Sequence, residues 1–163
     1  MALPWLARTR TWLKDRFVVE ALRQYYNRAW GMNIGEGCQI SLSAKLDKTN
    51  PKGITIGEYT IVTFDVVILS HDFINRRHLN VQIGSHCFIG CRSIIMPGVT
   101  IGNHCIVGAG TLVREDVPDN SVVVGNPGRI VRTGIETDKW GRRPVPPKQE
   151  PQPALEKTST SGL

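Results

Sequence analysis

Between Ile83 and Val113 a branched aliphatic residue returns at every sixth position: Ile83, Ile89, Ile95, Ile101, Val107 and Val113. Gly follows it at Gly84, Gly90, Gly102 and Gly108, while Cys87, Ser93, Val99, Cys105 and Thr111 stand four places on. A period of six matches neither a helix face nor the alternation of a half-buried strand. A short internal repeat of this kind predicts a parallel β-helix. Three units close one triangular coil, so Ile83 stacks on Ile101 and Cys87 on Cys105. The aliphatic rows then form a core that no single coil could bury alone. The glycines are expected at the corners, where sharp turns and positive φ favour them.

The pattern reaches back to Ile34, Ile40 and Leu46 as one coil and Ile56, Val62 and Ile68 as the next. Ile34 to Ile56 is 22 residues and Ile56 to Ile83 is 27, against eighteen for a regular coil. The excess lies around 48–53 and 74–82, and insertions in a solenoid leave it on the outside, where binding faces are built. The second insertion opens directly after Ser70-His71-Asp72.

Ahead of the repeat, Trp5, Trp12, Val19, Leu22, Tyr26 and Ala29 follow helical spacings, with Gly31 as a stop. Behind it, Gly125-Asn126-Pro127-Gly128 is a dense turn signal, and residues beyond Gly134 become Pro-rich and polar. The expected organisation is a helical segment over 1–31, a β-helix over 32–134 and a flexible tail over 135–163. The fold class is mainly β.

Composition changes this picture little. The formal net charge is +6, but the basic residues lie outside the repeat core, in the N-terminal segment, the loop after His71 and the C-terminal end. That distribution argues against nucleic acid and suits a phosphate-rich cofactor. The N-terminal segment carries six Arg and Lys against Asp15 and Glu20. It suits a cap over the open end of the β-helix, and its basic, Trp-bearing character also suits peripheral contact with an anionic membrane surface. No apolar run nears bilayer-spanning length, and Trp5, Arg8 and Arg10 stand where a secretory leader would be apolar. The expected compartment is the cytoplasm, at or off the inner membrane face. Cys38, Cys87 and Cys105 share the small inward position, so packing accounts for them, and Cys91 falls at a corner. No CxxC pair is present, so no metal is expected.

The run VQIGSHCFIGCRSIIMPGVTIGNHCIVGAGTLVREDVPDNSVVVGNPGRIVR resembles the hexapeptide-repeat acyltransferases, in the branch of sugar and capsular-polysaccharide O-acetyltransferases. The resemblance covers about 34–133. It implies a left-handed β-helix, a homotrimer, and acetyl-CoA held between subunits as acyl donor to a saccharide or glycolipid acceptor. His71 matches the family's catalytic histidine. The chemistry needs one, because a sugar hydroxyl must lose its proton as it attacks a thioester, and imidazole can take that proton and later deliver it to the leaving thiolate. The group that orients the imidazole is left open between Asp72, which adjoins it, and Asp65, one hexapeptide back. Asp47 resembles an acidic residue that meets the acceptor, and Asp72 and His78 join it as expected acceptor-side residues.

For the donor, the resemblance implies oxyanion contacts at Ile89-Gly90-Cys91, pantetheine along Gly108-Ala109-Gly110, and the adenine end at Asn126-Pro127 with Arg129 and Arg132 near its phosphates. The chain departs from the family in carrying Phe88 for the usual Trp and Cys91 for Ser or Ala. Two other classes compete. His86 and His104, eighteen apart, would stack, which is similar to the zinc site of γ-class carbonic anhydrases. A non-catalytic β-helix scaffold is the third reading.

Overall fold

The computed structural model describes residues 4–143, with side chains from Phe17 onward. Short strands of two or three residues build a three-sided parallel helix of strands. The first face stacks Asn33–Ile34, Ile54–Ile56, Val81–Ile83 and Thr100–Ile101. The second stacks Gln39–Ile40, Ile61–Val62, Phe88–Ile89, Ile106–Val107 and Val122–Val124, with Arg129–Arg132 added antiparallel at its end. The third stacks Lys45–Leu46, Val67–Ile68, Ile94–Ile95 and Leu112–Val113. In the regular coils Phe88 pairs with Ile106 and Ile94 with Leu112, the eighteen-residue step that the repeat predicts. Ile34 on Ile56 and Ile56 on Ile83 take up the two longer steps.

Inside, Ile34, Ile56, Ile68, Ile83, Ile89, Ile95 and Ile101 are almost wholly buried. The small inward row is buried too; within it Ser93 Oγ donates to the Gly90 carbonyl at 2.6 Å, while Thr111 Oγ1 is buried with no hydrogen-bond partner among the described residues. Cys38, Cys87 and Cys105 pack in this row as free thiols. Burial pushes the Cys38 thiol up to about 11, so it acts as a small apolar residue.

The glycines after each aliphatic residue are there for a different reason from the one expected. Gly35, Gly57, Gly84, Gly90, Gly102 and Gly108 do not have positive φ. A Cβ on Gly84 would stand 2.6 Å from the Gly102 carbonyl, and one on Gly90 would stand 2.6 Å from the Ala109 amide. They are glycine because the next rung's backbone lies directly on them. The left-handed corner positions are taken mainly by side chains that point outward: Tyr59, Asp65, His86, Arg92, His104 and Asn120.

The helix α1 spans Pro4–Trp30 and ends at Gly31, whose φ is +69°. Tyr26 is buried on the first coil, with Leu22 and Trp30 beside it. Asn27 exchanges two 2.9 Å hydrogen bonds with the backbone of Ile34, and Arg23 donates to the same carbonyl at 3.0 Å. These bonds satisfy the edge that the first strand would otherwise leave open. The C-terminal half of α1 therefore caps the β-helix.

The other end of the chain departs from expectation. Residues 135–143 are not a free tail; they run back along the corner between the first and second faces. The Ile135 amide donates to the Asn120 carbonyl at 3.0 Å, and Thr137 Oγ1 to that of His86 at 2.8 Å. The Trp140 amide donates to Tyr59 at 2.7 Å and its indole to Gly37 at 2.8 Å. One strap thus touches every coil from last to first. Tandem corner positions make this possible, since each offers a carbonyl at the same place. The Pro-rich stretch 144–163, expected to be flexible, lies outside the described residues.

Candidate active site

The two insertions noted in the sequence meet on one corner, between the third and first faces. The shorter one carries a 3₁₀ turn over Pro51–Gly53, and the longer folds into a hairpin of His71–Asp72 against Arg77–His78. They are laced together: Ser70 Oγ donates to the Asn50 carbonyl at 2.8 Å, and Asn50 Nδ2 to the Ser70 carbonyl at 3.0 Å. Ser70 is fully buried, which fixes the residue that follows it.

That residue is His71. Its Nδ1 hydrogen-bonds Asp47 Oδ2, while Nε2 forms no hydrogen bond among the described residues. Asp47 also accepts from the Thr49 amide at 2.8 Å and the Ser70 amide at 3.0 Å. The Asp47 side chain is only 5% exposed and that of His71 26%. Burial alone would push the Asp47 carboxyl up; the bonds from His71, Thr49 and Ser70 outweigh it and hold the carboxyl well below the usual carboxylate range. A carboxylate on Nδ1 fixes the tautomer with Nε2 unprotonated and steadies the imidazolium when a proton arrives.

The acceptor-facing position expected for Asp47 is therefore replaced. Its oxygens are occupied from three sides, and it is the group that orients His71. Asp72 and Asp65 do not serve in that role: Asp72 caps the Asn75 turn and Asp65 faces Arg92 at 3.7 Å. Asp72 and His78 line the cleft of about 600 Å³ beside His71. Thr49, Phe73, Arg76 and Arg77 line it as well and were not singled out from sequence. The register held the missing signal, since Asp47 sits one rung beneath Leu69 and thus two residues from His71.

The residues assigned to the donor lie elsewhere on the chain. Gly90-Cys91 and Gly108-Ala109 stack on the corner between the second and third faces. The Gly90 amide donates to Val107 at 2.8 Å and the Gly108 amide to Val123 at 2.9 Å, so neither is left to hold an oxyanion. The amides of Cys91 and Ala109 form no hydrogen bond among the described residues. The open position on this corner is Gly110, whose added Cβ would meet nothing within 4 Å. Asn126-Pro127 is a cis peptide in the turn that reverses the chain into the last strand. Arg129 and Arg132 are exposed on that strand but line two separate clefts, so one chain does not gather them into a single phosphate site. Phe88 lies under Gly141 of the strap and away from the His71 cleft.

The histidine pair that suggested zinc is a packing device. His86 and His104 stack at 5.0 Å with 21° between ring planes. His104 Nδ1 donates to the Thr137 carbonyl of the strap at 3.0 Å. Among the described residues no three His, Cys, Asp or Glu side chains are grouped to hold a metal ion.

Comparison with known proteins fits this geometry. Residues 80–115 match the family described as bacterial transferase hexapeptide (six repeats). The chain is 38% identical over 107 residues to YvoF of Bacillus subtilis (strain 168), a protein named provisionally as an acetyltransferase; the match covers 64% of this chain and 62% of that one. It is 38% identical over 117 residues to Protein CapG of Staphylococcus aureus, covering 65% of this chain and 68% of the relative. The chain thus spans about two thirds of the length of these relatives. A hexapeptide-repeat acetyltransferase of Vibrio cholerae O1 biovar eltor, solved with acetyl coenzyme A, matches at 26% identity and a TM-score of 0.52, covering 70% of this chain and 77% of the other. The three-sided coil is accordingly the left-handed parallel β-helix, and the chain belongs to the bacterial hexapeptide-repeat transferase family.

Proposed function

We propose that this protein transfers an acetyl group from acetyl-CoA to a hydroxyl of a saccharide or glycolipid, in the cytoplasm, as a homotrimer serving polysaccharide biosynthesis. The observation that carries the reading is the Asp47–His71 pair at the mouth of the cleft, with Nε2 unengaged. The Vibrio cholerae relative's complex with acetyl coenzyme A supports the choice of donor.

In the proposed reaction Nε2 of His71 removes the acceptor's hydroxyl proton as the oxygen attacks the thioester carbonyl carbon. Asp47 remains ionised and holds the imidazolium. When the tetrahedral intermediate collapses, the carbon–sulfur bond breaks and the imidazolium returns its proton to the thiolate. Backbone amides supply the oxyanion contact, and Cys91 and Ala109 are the ones left free to do so. These amides and His71 occupy different corners of one chain, so a donor running along one corner reaches His71 only on a neighbouring copy. That is the physical reason for proposing a trimer.

The test is His71→Ala assayed with labelled acetyl-CoA against a panel of saccharide acceptors. Transfer should fall by about 10²–10⁴-fold, while oligomer mass and acetyl-CoA binding stay as they were. Turnover within threefold of the parent would remove His71 from the reaction.

A further inference from the structure

We infer that the acceptor surface beside His71 is built for a negatively charged saccharide, selected by Arg76 and Arg77. The inference rests on the transfer reading for the hydroxyl that reacts, but not for the charge that binds.

The hairpin that forms the outer wall of the cleft carries Arg76, Arg77 and His78 together with one carboxylate, Asp72. That carboxylate is already supplied with donors: Oδ1 accepts from the Asn75 amide at 3.0 Å and Oδ2 from Asn75 Nδ2 at 2.6 Å. The Arg77 guanidinium stands 4.0 Å from it, at the outer limit of an ion pair, and its side chain is 63% exposed. Arg76 forms no ion pair among the described residues. Asp47 lies beneath, buried and committed to His71. The cleft wall therefore shows two guanidinium groups to solvent against a single saturated carboxylate.

Local folding does not ask for this arrangement. Arg76 has a φ of +52°, a region that disfavours an L side chain and where Gly or Asn is the usual occupant. Arg92, at a φ of +58°, faces Asp65 at 3.7 Å, whereas Arg76 has no such partner. Beside these charges Phe73 and Ile74 are 84% and 89% exposed. An aromatic face and a branched aliphatic chain suit the C–H face of a sugar ring, and a guanidinium fork suits a carboxylate or phosphate. The matching acceptor is a sugar with an anionic group close to the hydroxyl that takes the acetyl group.

Calorimetric titration of the full chain with tetragalacturonate, glucosamine 1-phosphate and neutral maltotetraose tests this. At least one anionic sugar should bind about tenfold or more tightly than maltotetraose, and which one does separates a carboxylate from a phosphate. Arg76→Gln with Arg77→Gln should abolish that preference, while the charge-matched Arg28→Gln with Lys45→Gln should keep it. Equal binding of neutral and anionic sugars, or equal loss in the charge-matched control, would overturn the inference. Loss of the transfer reading would appear differently: His71→Ala would retain acetyl transfer, yet the charge preference and its dependence on the two arginines would persist.

Discussion

At the scale of single residues, the site turns on the bond between Asp47 and His71. Asp47→Asn keeps the volume but offers an amide that can donate to Nδ1, which stabilises the tautomer with the proton on Nε2. A base already carrying its proton cannot accept another, so kcat should fall by about 10²-fold or more with the KM for acetyl-CoA little changed. The same carboxylate links stability to pH. Its pKa in the folded protein is depressed, so its stabilising effect is present above the unfolded value near pH 4 and is lost as pH falls below it. Urea midpoints at pH 7 and pH 3 should therefore differ less in Asp47→Asn than in the parent. An equal acid sensitivity in both proteins would show that Asp47 does not contribute to it.

Elements show what a sequence can and cannot disclose. The hexapeptide spacing places nearly every core residue, because an inward position is defined by period alone. His71 is legible for a related reason: it stands where the period breaks. The bond from Asp47 to His71 was not legible, since it depends on which rung lies above Asp47 across an irregular coil. The strap was not legible at all. Ile135, Thr137 and Trp140 follow no period, and their partners are backbone carbonyls that any residue provides. Ending the chain after Arg143 should leave thermal stability unchanged, whereas ending it after Gly134 should lower it. Trp140→Ala alone should cost about 1–3 kcal/mol through its indole bond and lost packing, seen as a fall in Tm of roughly 2–10 °C. A chain ending at Gly134 that melts with the parent would show that the strap adds no stability.

For the whole molecule, the proposed reaction together with the separation of His71 from the Cys91 and Ala109 corner predicts a site shared between copies. Light scattering should give a mass near three times 18.1 kDa. Co-expression offers a sharper check. In the proposed reaction His71→Ala would lack the base, and Ala109→Trp, at an exposed position, would block the donor corner; each alone should be inactive. Mixed trimers of the two should regain roughly a tenth or more of parental activity, because some interfaces then pair an intact His71 with an intact corner. No recovery, or a monomer that turns over, would place the whole reaction within one chain.

The strap also changes what kind of object the repeat is. A stack of coils in contact only with their neighbours behaves as a one-dimensional array: stability is summed along it, and either end can fray without troubling the other. Here the Trp140 indole bonds to Gly37 at the first corner, while the Ile135 amide, five residues earlier, bonds to Asn120 at the last. Opening the first coil therefore also breaks a segment anchored on the last one. The line is closed into something nearer a loop, in which neither terminus is a free end from which unravelling can begin. Cooperativity that a taller solenoid would gain from more repeats is obtained in this short one by the nine residues 135–143 laid across its rungs.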